Sequence, residues 1–260
     1  MIVIVMMRFV LISILGSLCY FSQLFAIEEY PSWFLYPKNY PGIIVGYSYG
    51  GHSARTDAEN MYCAYKSCVV NGTLEIFEDT NESQWLKNSD YYYYYSPDSV
   101  LKIQGKLFGI DSFMTNILTG DYIAAYSFEQ RDSLSKEWIN ARQLKAPPWV
   151  EKTFWEDERY AYGVGLFTSR RNENDAWKTA EEQAIFNILT NLAVGFHRIK
   201  ILYKDQTDGE SSFQEISFLR IKYYLKDIEI VERYPDLENQ LFYVLVRIAK
   251  KNIISPMLRR

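Results

Sequence analysis

One order of short motifs occurs twice in this 260-residue chain, and that repetition restricts its folding more than any other feature. Pro31-Ser-Trp-Phe is followed by Ile43-Ile-Val-Gly-Tyr and then by Ala54-Arg-Thr-Asp-Ala-Glu. Much later, Pro147-Pro-Trp-Val is followed by Tyr162-Gly-Val-Gly-Leu and then by Ala176-Trp-Lys-Thr-Ala-Glu. Each copy reads as Pro-x-Trp, an apolar strand carrying Val-Gly, a polar loop, and a helix opening with Ala-x-x-x-Ala-Glu. Four elements in one order point to an internal duplication.

Spacing supports a helix in each copy. Ala54, Ala58, Met61, Tyr65 and Cys68 recur at intervals of four and three, which places them on one stripe. Ser53 is the expected cap and Asn71-Gly72 the expected stop. In the second copy Trp177, Ala180, Ala184, Ile188 and Asn191, with Ile185, Leu189 and Leu192, form a wider apolar face. It opens at Asn174 or Asp175 and closes at Gly195. Alanines at helix starts suit close packing on a sheet, so both Ala-Glu positions are expected to seat a helix on strands.

Strand-like sequence follows each helix. Leu74-Glu-Ile-Phe-Glu and the stretch from Phe196 to Tyr203 are rich in β-formers. Ile228 to Tyr234 and Leu241 to Ile248, separated by Pro235-Asp-Leu-Glu-Asn, read as a hairpin. Leu107-Phe-Gly-Ile and Tyr122 to Phe128 are its weaker counterpart. Residues 98–106 and 212–225 fit either a helix or a strand. The expected class is α+β, an antiparallel sheet curled over one long helix in each copy.

These residues resemble the lipoprotein 20 family of Gram-negative envelopes, best over 147–250, with 31–129 as a more diverged copy. The resemblance implies two tandem dodecin-like units, each a sheet wrapped around a helix, at 27–145 and 146–254. Lys250-Lys251 and Arg259-Arg260 give the chain a basic C-terminal end, with 255–260 as its tail. The resemblance also implies an envelope or secreted location, with some relatives assembling around the flagellar motor or on the outer membrane. It supplies no catalytic residue and no cofactor.

The chain begins with an apolar run after Arg8 that is too short and too interrupted for a membrane span, and Gln23-Leu-Phe-Ala offers a cleavage site after Ala26. Residues 1–26 are therefore expected to be a signal peptide, the other reading being an uncleaved anchor. Bulky Leu18 before Cys19 departs from the family's lipid-attachment signal, so a lipid anchor is not expected, although membrane association is compatible with the sequence. Cys63 and Cys68 remain; an unbroken helix would hold residues five apart too far round the axis to bridge.

Composition narrows the chemistry. With 28 basic against 32 acidic residues the chain lacks the cationic excess that gripping nucleic acid requires. Its two histidines, His52 and His197, leave few ways to build a zinc site or a histidine-based triad, and no metal site is expected. His52 reads as a polar loop residue and His197 as a strand-face one. Gly46-Tyr-Ser-Tyr-Gly-Gly lacks the Lys-Ser/Thr ending of a phosphate loop; its glycines are expected to turn the chain from strand into helix. Glu156-Asp-Glu and Glu181-Glu182 read as solvated acidic surface.

The remaining candidate is the run Tyr91, Tyr92, Tyr93, Tyr94 and Tyr95. At an edge or in a loop, these side chains would form a recognition surface for protein, peptide or carbohydrate. In an inserted strand their rings would pack on the helix instead, and both readings stand. The functional expectation is a non-enzymatic secreted or periplasmic protein that binds an envelope or extracellular protein, with oligomer formation compatible with that role. The alternative is an envelope hydrolase whose site lies in the cleft between the two copies.

Overall fold

The computed structural model describes residues 28–78, 83–86, 91–168, 172–205 and 215–254. The expected signal segment 1–26, with Cys19, and the tail 255–260 lie outside the described residues. The described elements run, in order, β1 (Glu29–Pro31), α1 (Ser32–Leu35), β2 (Ile44–Tyr47), α2 (Ala54–Lys66), β3 (Ser67–Glu78), β4 (Ser83–Leu86), β5 (Tyr91–Tyr94) and α3 (Pro97–Ile103). There follow β6 (Phe108–Asn116), β7 (Asp121–Ser127), β8 (Trp138–Asn140), β9 (Phe154–Glu156), β10 (Tyr160–Thr168) and α4 (Glu173–Asp205). The chain continues through β11 (Glu215–Lys226), β12 (Glu229–Asp236), β13 (Leu241–Ala249) and β14 (Ile253–Ile254). The fold is mixed α+β.

Two antiparallel sheets carry matching pairings. In one the order is β2-β7-β6; in the other β10 pairs β13 and β13 pairs β12, with β9 added beside β10. In each, the strand before the helix lies against the second strand of the later hairpin. Both expected hairpins are therefore present, as β6–β7 and β12–β13. The strands after the two helices pair with each other instead: β3 and β11 run antiparallel over their full lengths, from Ser67 opposite Lys226 to Glu78 opposite Glu215. Of residues 98–106, 98–103 belong to α3; of residues 212–225, 215–225 belong to β11 and 212–214 lie outside the described residues.

Close approach explains the Val-Gly and Ala-x-x-x-Ala motifs together. A Cβ on Gly46 would lie 2.0 Å from the Ala54 carbonyl oxygen and 2.8 Å from Ala58 Cβ. On Gly165 it would lie 1.8 Å from the Ala180 carbonyl oxygen, and on Gly163 2.1 Å from that of Ala184. Only glycine lets the strand backbone come so near the helix. The two contacts are offset: Gly46 meets the first alanine of its motif, whereas Gly165 meets the second, one helical turn further on.

Four sequence expectations are corrected. Helix α2 is capped by Ser53 as expected, its Oγ accepting from the Arg55 amide, but it ends at Lys66 rather than at Asn71-Gly72. Val69 and Val70 join β3, where they gain partners in both β11 and β5, so long-range pairing outweighs the local stop signal. Helix α4 runs through Gly195, and the strand expected from Phe196 to Tyr203 is helical, His197 included. A single glycine costs a helix only about 1 kcal/mol, and short apolar runs fit either period. The start of α4 is capped by Asn172, whose Oδ1 accepts from the Asn174 and Asp175 amides at 2.8 and 3.2 Å. Finally, Glu181 is buried rather than solvated, paired with Arg233.

The main hydrophobic cluster draws on both halves of the chain. Phe34 packs edge-on to Trp177 at 5.2 Å, and Trp177 to Phe242 at 4.7 Å. Trp33, from the first Pro-x-Trp, is fully buried and donates its indole N–H to Asp111 Oδ2 at 2.8 Å. The second motif differs: Trp149 lies in a 3₁₀ turn, Pro148–Glu151, and is only partly buried.

Candidate functional site

Polar ties between the two halves of the chain converge beneath a cleft. Glu181, on the inward face of α4, accepts at Oε1 from the Tyr47 hydroxyl at 2.5 Å and from Arg233 Nη2 at 2.5 Å and Nε at 3.1 Å. Its Oε2 accepts from the Tyr65 hydroxyl at 2.7 Å, and Arg233 Nη1 donates to the Phe34 carbonyl at 2.7 Å. Desolvation works against the Arg233 charge, but Tyr47 and Glu181 outweigh it and hold the guanidinium above its ordinary pKa. Burial drives the Tyr47 hydroxyl well above its usual range, so it stays a proton donor to the carboxylate.

A bulge aims Arg233 inward. The β12–β13 register shifts between Ile230 and Glu232, leaving Val231 without an opposite residue. Before that point Ile228 and Ile230 turn toward the core; after it the phase flips, and Arg233 and Pro235 are the buried positions. With regular alternation Arg233 would face solvent.

Above this base lies a cleft of about 950 Å³. One wall is α2, through Met61, Tyr62, Tyr65 and Lys66; the opposite side is β12 and β13, through Glu229, Ile230 and Arg247. The loop after the 3₁₀ turn Pro37–Asn39, including Ile43, and β2, through Ile44 and Val45, close another side. The Tyr62 ring meets Phe128 edge-on at 4.9 Å, and Arg247 lies 4.6 Å over Tyr160. Arg247 also donates to Glu229 Oε2 at 2.5 and 2.7 Å, while Lys66 pairs with Asp227 at 3.0 Å.

A second buried tie lies elsewhere on the interface. Lys178 forms an ion pair with Asp57 and sits 5.4 Å over the Tyr49 ring. Burial resists the Lys178 charge, but Asp57 raises its pKa overall. Nearby, burial pushes the Glu182 carboxyl up to about 7 against the pull of Lys178. At the start of α4, Glu173 Oε1 accepts from the Tyr30 hydroxyl at 2.7 Å and Trp177 Nε1 at 3.2 Å, and burial raises this carboxyl to about 7. Neither Glu173 nor Glu182 lines the cleft. The carboxylates that do line it, Glu181, Asp227 and Glu229, are each in an ion pair.

The tyrosine run divides. Tyr91–Tyr94 form β5, which pairs with β3 from Gly72 to Val69 and has no second neighbour among the described residues. Tyr94 is 57% exposed; Tyr95 packs against the core, where burial raises its hydroxyl pKa. The side chains of Tyr91, Tyr92 and Tyr93 lie outside the described residues. His52 is exposed in the turn before α2, its ring 5.8 Å from Tyr49, and Gly50 and Gly51 take positive φ there, as expected of a strand-to-helix turn. Asp157 caps the β9–β10 turn, accepting from the Tyr160 amide at 2.7 Å, the Tyr162 hydroxyl at 2.8 Å and the Arg159 amide at 2.7 Å, and these bonds lower its pKa. No cluster of three metal-ligating side chains occurs among the described residues. Cys63 and Cys68 are free and buried, one on α2 and the other on β3; burial pushes the Cys68 thiol up to about 12.

Arg233, Tyr47, Asp57 and Lys178 were not singled out from sequence. The available signal was the adjacent Ile230-Val231, which breaks alternation just before a charged residue inside a strand.

No protein-family model matches this sequence, and no curated protein or solved structure matches it. Among the described residues, no helix is long and apolar enough to cross a membrane.

Proposed function

We propose that this chain is a non-enzymatic secreted or periplasmic cell-envelope protein that acts by binding, and that it is built from two diverged dodecin-like copies of the lipoprotein 20 type. The matching pairings of β2-β7-β6 and β10-β13-β12, and the glycine-to-helix contacts in both copies, support the duplication. The export reading rests on residues 1–26.

The observation that carries the binding function is the cleft above Glu181 and Arg233. Its volume suits a small-molecule or peptide ligand, and its carboxylates are already committed to cations. The edge strand β5 is a second recognition surface. Among the described residues its outer edge has no partner strand and so offers backbone donors and acceptors, and Tyr94 adds an exposed ring.

Two measurements test this. Pull-down from a Gram-negative envelope fraction is expected to lose specific partners when Tyr92→Ser and Tyr94→Ser are combined; an unchanged set removes the tyrosine edge from the proposal. The alternative, a hydrolase using the cleft, predicts release of nitrophenol from acyl or glycosyl nitrophenyl substrates that Glu181→Gln abolishes. We expect no such turnover.

A further inference from the structure

We infer that the cleft takes an amphipathic anion, with an apolar or aromatic body seated between α2 and β12 and an acidic head held at the rim by Lys38 and Lys251. This rests on the cleft being a binding site, and it assigns the chemistry of the ligand.

The charge pattern carries it. Five cations line the cleft, Lys38, Lys66, Arg233, Arg247 and Lys251, against three anions, Glu181, Asp227 and Glu229. The three anions are matched one to one, by Arg233, Lys66 and Arg247. Lys38 and Lys251 are left with no ion pair among the described residues. Burial holds the Glu232 carboxyl, outside the lining, above its ordinary value, against the smaller opposing pulls of Trp149 and of the nearby Lys38 charge. A chain of net charge −4 thus presents a locally positive cleft. Such a site concentrates anions at its mouth.

The walls specify the rest. Met61, Tyr62, Phe128, Ile43, Val45 and Ile230 offer apolar and aromatic surface. A fully hydrophilic anion would leave that surface unmatched, and a neutral apolar ligand would leave the two lysines unused. An acid with a hydrophobic body satisfies both.

The test is a fluorescence titration of the full chain with two dyes of similar shape, anionic 8-anilinonaphthalene-1-sulfonate and neutral N-phenyl-1-naphthylamine. Wild type is compared with Lys38→Glu/Lys251→Glu and with a control of equal charge change outside the cleft, Lys102→Glu/Lys106→Glu. Two exposed charge contacts predict about a tenfold loss of affinity for the anionic dye in the first variant at low salt. The control is expected to stay near wild type, and neutral-dye affinity to stay unchanged in both. Met61→Trp, which narrows the cleft, is expected to weaken both dyes. Equal losses in the two charge variants, or none in the first, overturn the assignment of the head to Lys38 and Lys251. Failure of both dyes to bind wild type overturns the cleft reading itself.

Discussion

Arg233 and Glu181 meet with Nη2 2.5 Å from Oε1, each side chain only 2% exposed, and this pair joins β12 to Tyr47 of β2 and Tyr65 of α2. A buried pair is costly to form, because both ions leave water, yet more costly to break, because the survivor is stranded. Arg233→Ala is therefore expected to lose about 3–5 kcal/mol of stability in urea unfolding. Glu181→Leu combined with Arg233→Met removes both charges and is expected to recover part of that loss, the rest being the partners taken from the Tyr47 and Tyr65 hydroxyls and the Phe34 carbonyl. A double variant as unstable as Arg233→Ala would refute the stranded-charge account.

The glycine contacts predict a sharp positional contrast. Gly165→Ala drives a methyl against the Ala180 carbonyl, and in so close-packed a place the expected loss is about 1–3 kcal/mol or more. Gly109→Ala meets nothing nearer than 3.7 Å, a Tyr126 ring carbon, and is expected to be close to neutral. Thermal melts of the two variants decide it; equal midpoints would mean that β10 does not rest on α4 through Gly165.

Glu173 links stability to pH. Burial raises its carboxyl from 4.5 to about 7, so the folded state favours the neutral acid. The stabilisation is full below pH 4.5 and is lost as pH rises through 7. Glu173→Gln keeps an oxygen for Tyr30 and Trp177 without the charge. It is expected to match wild type near pH 4 and to exceed it at pH 8 by up to about 3 kcal/mol. Urea midpoints at the two pH values measure this; a difference independent of pH would show that Glu173 does not titrate in this window.

Much of the fold is encoded over short stretches and was legible there. The paired Val-Gly and Ala-x-x-x-Ala motifs mark strand-on-helix contacts, because backbone approach demands small residues at fixed spacing on both elements. The hairpins are legible for the same local reason, as two β-rich runs flank a turn.

What escaped sequence reading depends on residues far apart in the chain. Helix α2 stops at Lys66 because β11, some 150 residues on, offers β3 a full-length partner, and Lys66 itself pairs with Asp227. Glu181 follows an alanine at a position that reads as surface. It is buried because a bulge at Val231 swings Arg233 under it and Tyr47 and Tyr65, far earlier in the chain, complete its hydrogen bonds. Periodicity reports which face of an element is apolar, and here the sequence by itself determined those faces and the order of the elements. Whether a charge can go inside depends on what compensates its desolvation, and only the tertiary structure brought Arg233, Tyr47 and Tyr65 to Glu181.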